Sequence, residues 1–167
     1  MPQSLANVLV HLVFSTKDRV PLIRADVESE LYAYTSKVLD TSDSPMIAIG
    51  GIEDHVHILF KLSRKFAIAD LVETVKTDTS RWIKSKGAGY TDFYWQSGYG
   101  AFSVSPTTAD KVIGYIRNQT EHHRAKSFQD EALFHPNNVN RKPRGRLLVP
   151  CACPPGGMGY QEKHVRM

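Results

Sequence analysis

Apolar positions along the first 120 residues recur with two different periods, and the switches between them outline the elements. Residues 5–14 (Leu-Ala-Asn-Val-Leu-Val-His-Leu-Val-Phe) form a nearly unbroken β-favouring run, the pattern of a strand buried on both faces. Lys17, Asp18, Arg19 and Pro21 end it. A helix follows, with Asp26 as its expected cap and Val27, Leu31, Tyr34, Val38 and Leu39 at helical spacing. The polar stretch 41–45, closing on Pro45, stops it. Residues 46–52 then read as a strand, Glu53-Asp54 as a tight turn, and the run from His55 to Phe60 as the hairpin partner. A second helix is expected over 67–86, with Ile68, Leu71, Val72, Val75, Trp82 and Ile83 on one stripe and Gly87 and Gly89 beyond its end. Residues 94–104 read as a strand interrupted by Gly98 and Gly100, which suggests a bulge or a close backbone approach. Ser105-Pro106 starts a last helix, with Ala109, Val112, Ile113 and Ile116 as its buried stripe.

The order β-α-β-β-α-β plus one further helix is that of an α+β, ferredoxin-like fold. It predicts an antiparallel sheet with helices on one face and a C-terminal helix outside the repeat. One domain over residues 1–139 accommodates all of these elements. From Asn140 onward periodicity is lost and Arg, Lys, Pro and Gly dominate, so 140–167 reads as a basic, disordered tail.

Charge changes the picture little. The net charge is +4, but residues 140–167 hold six Lys/Arg against one acid, leaving the remainder with 15 basic and 16 acidic residues. A basic isoelectric point therefore describes the tail, and DNA contact by the folded part has to come from local patches. Lys76, Arg81 and Lys84 on the outer face of the second helix, with Arg117 on the last, are the candidates, although such faces are usually merely solvated. No apolar run approaches the roughly 18 residues of a membrane helix, and no secretory pattern opens the chain, so a cytoplasmic protein is expected. Cys151-Ala152-Cys153 with His164 supplies at most three of the four ligands of a structural zinc site.

The candidate chemistry lies in Asp54-His55-Val56-His57-Ile58-Leu59-Phe60. In a strand, His55, His57 and Leu59 share one face and Val56, Ile58 and Phe60 the other. Two imidazoles so placed suit one metal ion. Chance alone yields roughly 0.3 such pairs from seven His in 167 residues, and two half-exposed strand histidines without a ligand explain the pair equally well. His11, within the first strand, reads as a packed or partly exposed histidine rather than a third ligand. On the last helix, Tyr115, Gln119 and His122 fall within about 60° of one another beside the apolar stripe.

Four stretches together carry a family resemblance: residues 10–17 (VHLVFSTK), 53–59 (EDHVHIL), 95–104 (WQSGYGAFSV) and 115–123 (YIRNQTEHH). In that order, across most of residues 5–135, they resemble the single-tyrosine HUH transposases of bacterial insertion sequences and their relatives associated with repetitive extragenic palindromes. The resemblance implies Tyr115 as nucleophile and His55, His57 and Gln119 as ligands of a divalent ion, Mg2+ or Mn2+. It also implies single-stranded DNA with an imperfect hairpin as substrate, a 5′-phosphotyrosine intermediate, and a homodimer whose active sites are shared between subunits. Two other readings stay open: an HUH replication or transfer nickase, and a non-cutting nucleic-acid-binding regulator derived from a transposase. Tyrosine titrates near pH 10, so reaching the phenolate at pH 7 costs about 4 kcal/mol. No base for Tyr115 stands out, with Glu121 and His122 nearby on the same helix.

Overall fold

The computed structural model describes residues 5–119. Four strands, β1 (Leu9–Ser15), β2 (Met46–Ile52), β3 (His55–Lys61) and β4 (Gly100–Val104), form one sheet in the order β2-β3-β1-β4, with every pairing antiparallel. The helices are α1 (Ala25–Thr41), α2 (Ile68–Lys84) and α3 (Ala109–Arg117). This is the ferredoxin-like α+β architecture the element order predicts.

Register sorts the side chains. In β1 and β3 Val13 faces His57, His11 faces Leu59 and Phe14 faces Val56. Val10, Leu12, Phe14, Val56, Ile58 and Phe60 therefore line one face. They are buried there with Val27, Leu31, Val38 and Leu39 of α1 and Leu71, Val72, Val75 and Ile83 of α2. The other face carries Leu9, Ala48, Leu59 and Val104, buried with Val112 and Ile116 of α3. Burial on both faces explains why β1 is an unbroken apolar run rather than an alternating one. At nine residues α3 is too short to persist alone. Burying Val112 and Ile116 stabilises its seat by about 1.5–3 kcal/mol per side chain, taken as an upper bound.

Three local expectations change. Asp26 lies inside the first turn of α1, where its Oδ1 accepts from the Tyr90 hydroxyl (3.0 Å); the cap position is Arg24, with no side-chain cap. The first strand begins at Leu9 rather than at residue 5. The strand expected over 94–104 is regular only from Gly100. Before it, Gly98 takes φ +84°, and the pairing with β1 resumes at Thr16–Trp95, two residues out of step with Val13–Gly100. That is the bulge implied by the glycines. Trp95 packs against the core, edge-on to Phe14 and Phe93 with its indole N–H on Thr79 (2.9 Å). The last helix starts as read: the Ser105 side chain accepts from the Thr107 amide, Pro106 follows it, and a single 3-10 turn leads into α3.

Candidate active site

His55 and His57 point away from α1 and α2, onto the face that α3 covers, and both are buried, at 0% and 2% exposure. Their rings lie 5.1 Å apart at 72°. The His55 Nδ1 is 2.6 Å from Asp54 Oδ1, and Asp54 Oδ2 accepts from Arg19 Nε at 2.9 Å. Burial alone would raise the Asp54 carboxyl, but the His55 hydrogen bond and the Arg19 charge outweigh it and hold it below the ordinary value. A carboxylate only accepts, so Nδ1 of His55 carries a proton, and in the neutral ring the lone pair is on Nε2.

His11, at 2% exposure, shares this face. Its Nε2 is 3.0 Å from His57 Nδ1, with the two rings stacked at 5.2 Å. The half-buried Tyr115 projects from α3 edge-on to both, its ring centroid 5.6 Å from that of His57 and 6.2 Å from that of His11. One turn on, Gln119 is buried and its Nε2 donates to the Tyr115 carbonyl (3.3 Å), which leaves Oε1 as its acceptor atom. The chain thus sets Tyr115 against His57, which adjoins His55, with buried Gln119 one turn beyond Tyr115, all four in one polypeptide. Glu121 and His122 lie outside the described residues, as does the tail from residue 140.

Glycine makes this approach possible. Gly50 of β2, opposite His57, sits so close beneath α3 that an added Cβ would stand 2.2 Å from the Ile116 carbonyl oxygen. Sequence patterning missed that role, and it missed the support given by His11, Asp54 and Arg19. The one available signal was parity: His11 falls on the Leu9–Val13 face of β1, and only the strand register reveals that this is the face of His57.

The candidate DNA-contacting cations are spread more widely. Lys76, Arg81 and Tyr99 line an open groove of about 570 Å3 between α2 and the 94–99 segment. Lys76 is largely committed there: its ammonium donates to the carbonyls of Gln96 (2.8 Å) and Gly98, clasping the bulged segment to α2. Lys84 lies over the Tyr94 ring at 3.3 Å, and exposed Arg81 is 3.7 Å from Asp78. Arg117 is exposed at the end of α3.

Among the described residues no group of three or more His, Cys, Asp or Glu side chains is arranged to hold a metal ion. Two imidazoles plus an amide oxygen form a different donor set. His55 fits it, because a ring N–H donated to a carboxylate is the arrangement that orients metal-ligating histidines. Among the described residues no helix is long and apolar enough to cross a membrane.

A ferredoxin-like sheet bearing a His-x-His pair, with a tyrosine helix laid over it, defines a single-tyrosine transposase class. Residues 4–119 match the family described as transposase, IS200-like, and the chain belongs to that family. Two solved structures share the fold. One is a candidate transposase from Deinococcus radiodurans R1, 23% identical, with a TM-score of 0.56 over 71% of this chain and 98% of that one. The other is a REP-associated tyrosine transposase bound to a REP hairpin, 11% identical, with a TM-score of 0.55 over 74% of this chain and 72% of that one. No functionally curated protein matches the sequence. Family membership supports a transposase function.

Proposed function

We propose that this protein cuts and rejoins single-stranded DNA at hairpin-marked ends, with Tyr115 as nucleophile and a divalent ion, Mg2+ or Mn2+, held by His55, His57 and Gln119. The observation that carries the reading is the placement of the Tyr115 ring edge-on to His57 within one site. A related fold bound to a REP hairpin supports hairpin DNA as the substrate class. The phenol oxygen attacks phosphorus, a Tyr–O–P bond forms, and the P–O3′ bond breaks. The phenolic proton is lost, and the departing oxygen takes one up to become a 3′-hydroxyl. Because a phosphodiester is exchanged for a phosphotyrosyl ester, a 3′-hydroxyl can later reverse the step without a nucleotide cofactor. When bound, a divalent ion would stabilise negative charge on the phosphate oxygens. Buried His55 and His57 hold their rings on one side of the scissile group, and the α3 backbone sets the tyrosine on the other.

The proposal includes a homodimer with shared sites. One chain alone sets Tyr115 beside its own His57, so sharing requires exchange of α3 between subunits. Mixing His57→Ala with Tyr115→Phe chains decides the matter: verified mixed dimers recover cleavage only if a site draws on both chains.

The chemistry itself is tested with a labelled hairpin oligonucleotide and denaturing electrophoresis. The wild-type protein forms a covalent adduct. Tyr115→Phe binds the DNA and forms none at any metal concentration. His57→Ala loses activity that high Mn2+ partly restores, and Gln119→Ala shows the milder form of that defect. An adduct formed by Tyr115→Phe would move the nucleophile elsewhere, with Tyr99 in the α2 groove the next candidate.

A further inference from the structure

We infer that His11 is a positioning residue for His57: it accepts the His57 Nδ1 proton, fixing the ring's orientation and tautomer so that Nε2 faces the cation. The inference rests on the metal-dependent reading above. His11 occupies the middle of β1 and is buried, two residue pairs along the ladder from the Val13–His57 pairing and so on the same face. A purely apolar role on this face is already filled by Leu9, Val13 and Leu59. A buried imidazole costs free energy unless it is hydrogen-bonded, and His11 bonds the functional ring itself, Nε2 to Nδ1 at 3.0 Å.

One proton serves that contact between two neutral imidazoles, so there are two arrangements. If His11 donates, His57 becomes the Nε2–H tautomer and has no lone pair there for a cation. If His57 donates, its Nε2 is basic, and His11 is the Nδ1–H tautomer. Only the second makes His57 match His55, whose Nδ1–H is fixed by Asp54. The two histidines then use the same nitrogen but different partners, a carboxylate for His55 and a neutral imidazole for His57. The neutral acceptor orients its ring without adding charge to the buried face. His11 is in turn flanked edge-on by Tyr115 at 6.2 Å and tilted against Phe102 at 6.3 Å, so the orienting ring also touches the nucleophile's ring.

The test uses the full chain without metal, then with Mn2+ alone. Long-range 1H–15N spectra of the histidine rings, with His57 assigned by its loss in His57→Ala, should show His57 as the Nδ1–H form. In His11→Leu that form gives way to a tautomer mixture, and Mn2+ affinity, read from the free-ion EPR signal, falls about 10- to 100-fold. In His11→Gln, whose amide oxygen can accept the same proton, both readouts return to near wild type. A merely structural role would lower the unfolding midpoint of His11→Leu while leaving the tautomer and the Mn2+ affinity of the folded protein unchanged. That outcome, or a wild-type His57 found as Nε2–H, overturns the inference. If His11→Leu does not fold, the wild-type tautomer and His11→Gln decide it. If His57→Ala binds Mn2+ as tightly as wild type, the metal reading fails separately, and the tautomer spectra still judge His11.

Discussion

Replacing Gly50 with alanine tests whether the seat of α3 on the sheet sets the position of the tyrosine. The added Cβ would meet the Ile116 carbonyl oxygen at 2.2 Å, where separations under 3.0 Å are essentially never tolerated. The obstruction is backbone on both sides, so no side chain can swing away. Either α3 retreats by about 0.8 Å or β2 buckles. Retreat loosens the contacts of Val112 and Ile116 with Leu9, Ala48, Leu59 and Val104. Overpacking of this kind costs about 1–3 kcal/mol. For a chain of this size that lowers the unfolding midpoint by about 2–12 °C. Tyr115 immediately precedes Ile116, and a misplacement near 1 Å can cost about 100-fold in rate. The expected result is a folded protein with near-normal hairpin affinity and cleavage reduced by about two orders of magnitude. Gly114→Ala is the control: it lies in the same helix with nothing within 4 Å of an added Cβ, and it should be neutral or stabilise by about 0.5–1 kcal/mol. If Gly50→Ala cleaves and melts like wild type, or if Gly114→Ala is equally damaged, the close approach does not set the position of Tyr115.

Lys76→Met should leave the Gln96 and Gly98 carbonyls without their donor, and limited proteolysis should then cut the 94–99 segment sooner. Burial draws the Lys76 ammonium down to about 8. Above that value the unfolded chain binds more protons than the folded one, so wild-type stability should rise between pH 8 and about 10. Urea titrations at the two ends of the window should show the rise largely absent in Lys76→Met. The depressed Asp54 carboxyl gives the same sign of slope at the acid end: its stabilisation is complete above about pH 4 and is lost as pH falls through the folded value. Asp54→Asn should therefore be less stable at neutral pH, with a flatter acid limb below pH 4 in circular-dichroism titration. Deleting residues 140–167 should leave the unfolding midpoint unchanged and reduce only salt-sensitive DNA affinity, read in binding curves at two ionic strengths.

The elements were legible because each has a clean period. The hairpin of β2 and β3 falls where Met46–Ile52 and the run from His55 place it, and α2 where its stripe predicts. Two kinds of information were not legible. The glycines signalled the bulge and Ser105 the last helix start, but what a polar group meets in three dimensions was hidden: Asp26 turns to Tyr90, and Lys76 engages the Gln96 and Gly98 carbonyls 20 and 22 residues away. The support of the site depends on register, which a single strand does not encode. His55 and His57 announce themselves by spacing, whereas the partner of His57 lies 46 positions earlier. Charge alone made Lys76 a candidate DNA contact, and its bonds to the Gln96 and Gly98 carbonyls were not readable from that charge.

The two faces of the sheet carry unequal burdens, and this bears on how mutants of the site must be read. The face under α1 and α2 holds the larger apolar cluster, and the fold rests on it. The opposite face has a smaller cluster, and α3 is held there chiefly by Val112 and Ile116. His11, His55, His57 and Gln119 are packed into that same face with almost no exposure, so each is a core residue as well as a candidate functional one. Truncating His57 removes a donor and opens a cavity under Tyr115, and loss of cleavage alone would not tell these apart. Tyr115→Phe does separate them, since it deletes one oxygen from a half-buried ring and leaves the packing against His57 and His11 in place. Metal rescue separates the histidines in turn, because added Mn2+ can compensate a weakened ligand set but cannot refill a cavity or restore a displaced helix. Position and chemistry are therefore distinguishable here only when the tyrosine, ligand and glycine variants are compared with one another.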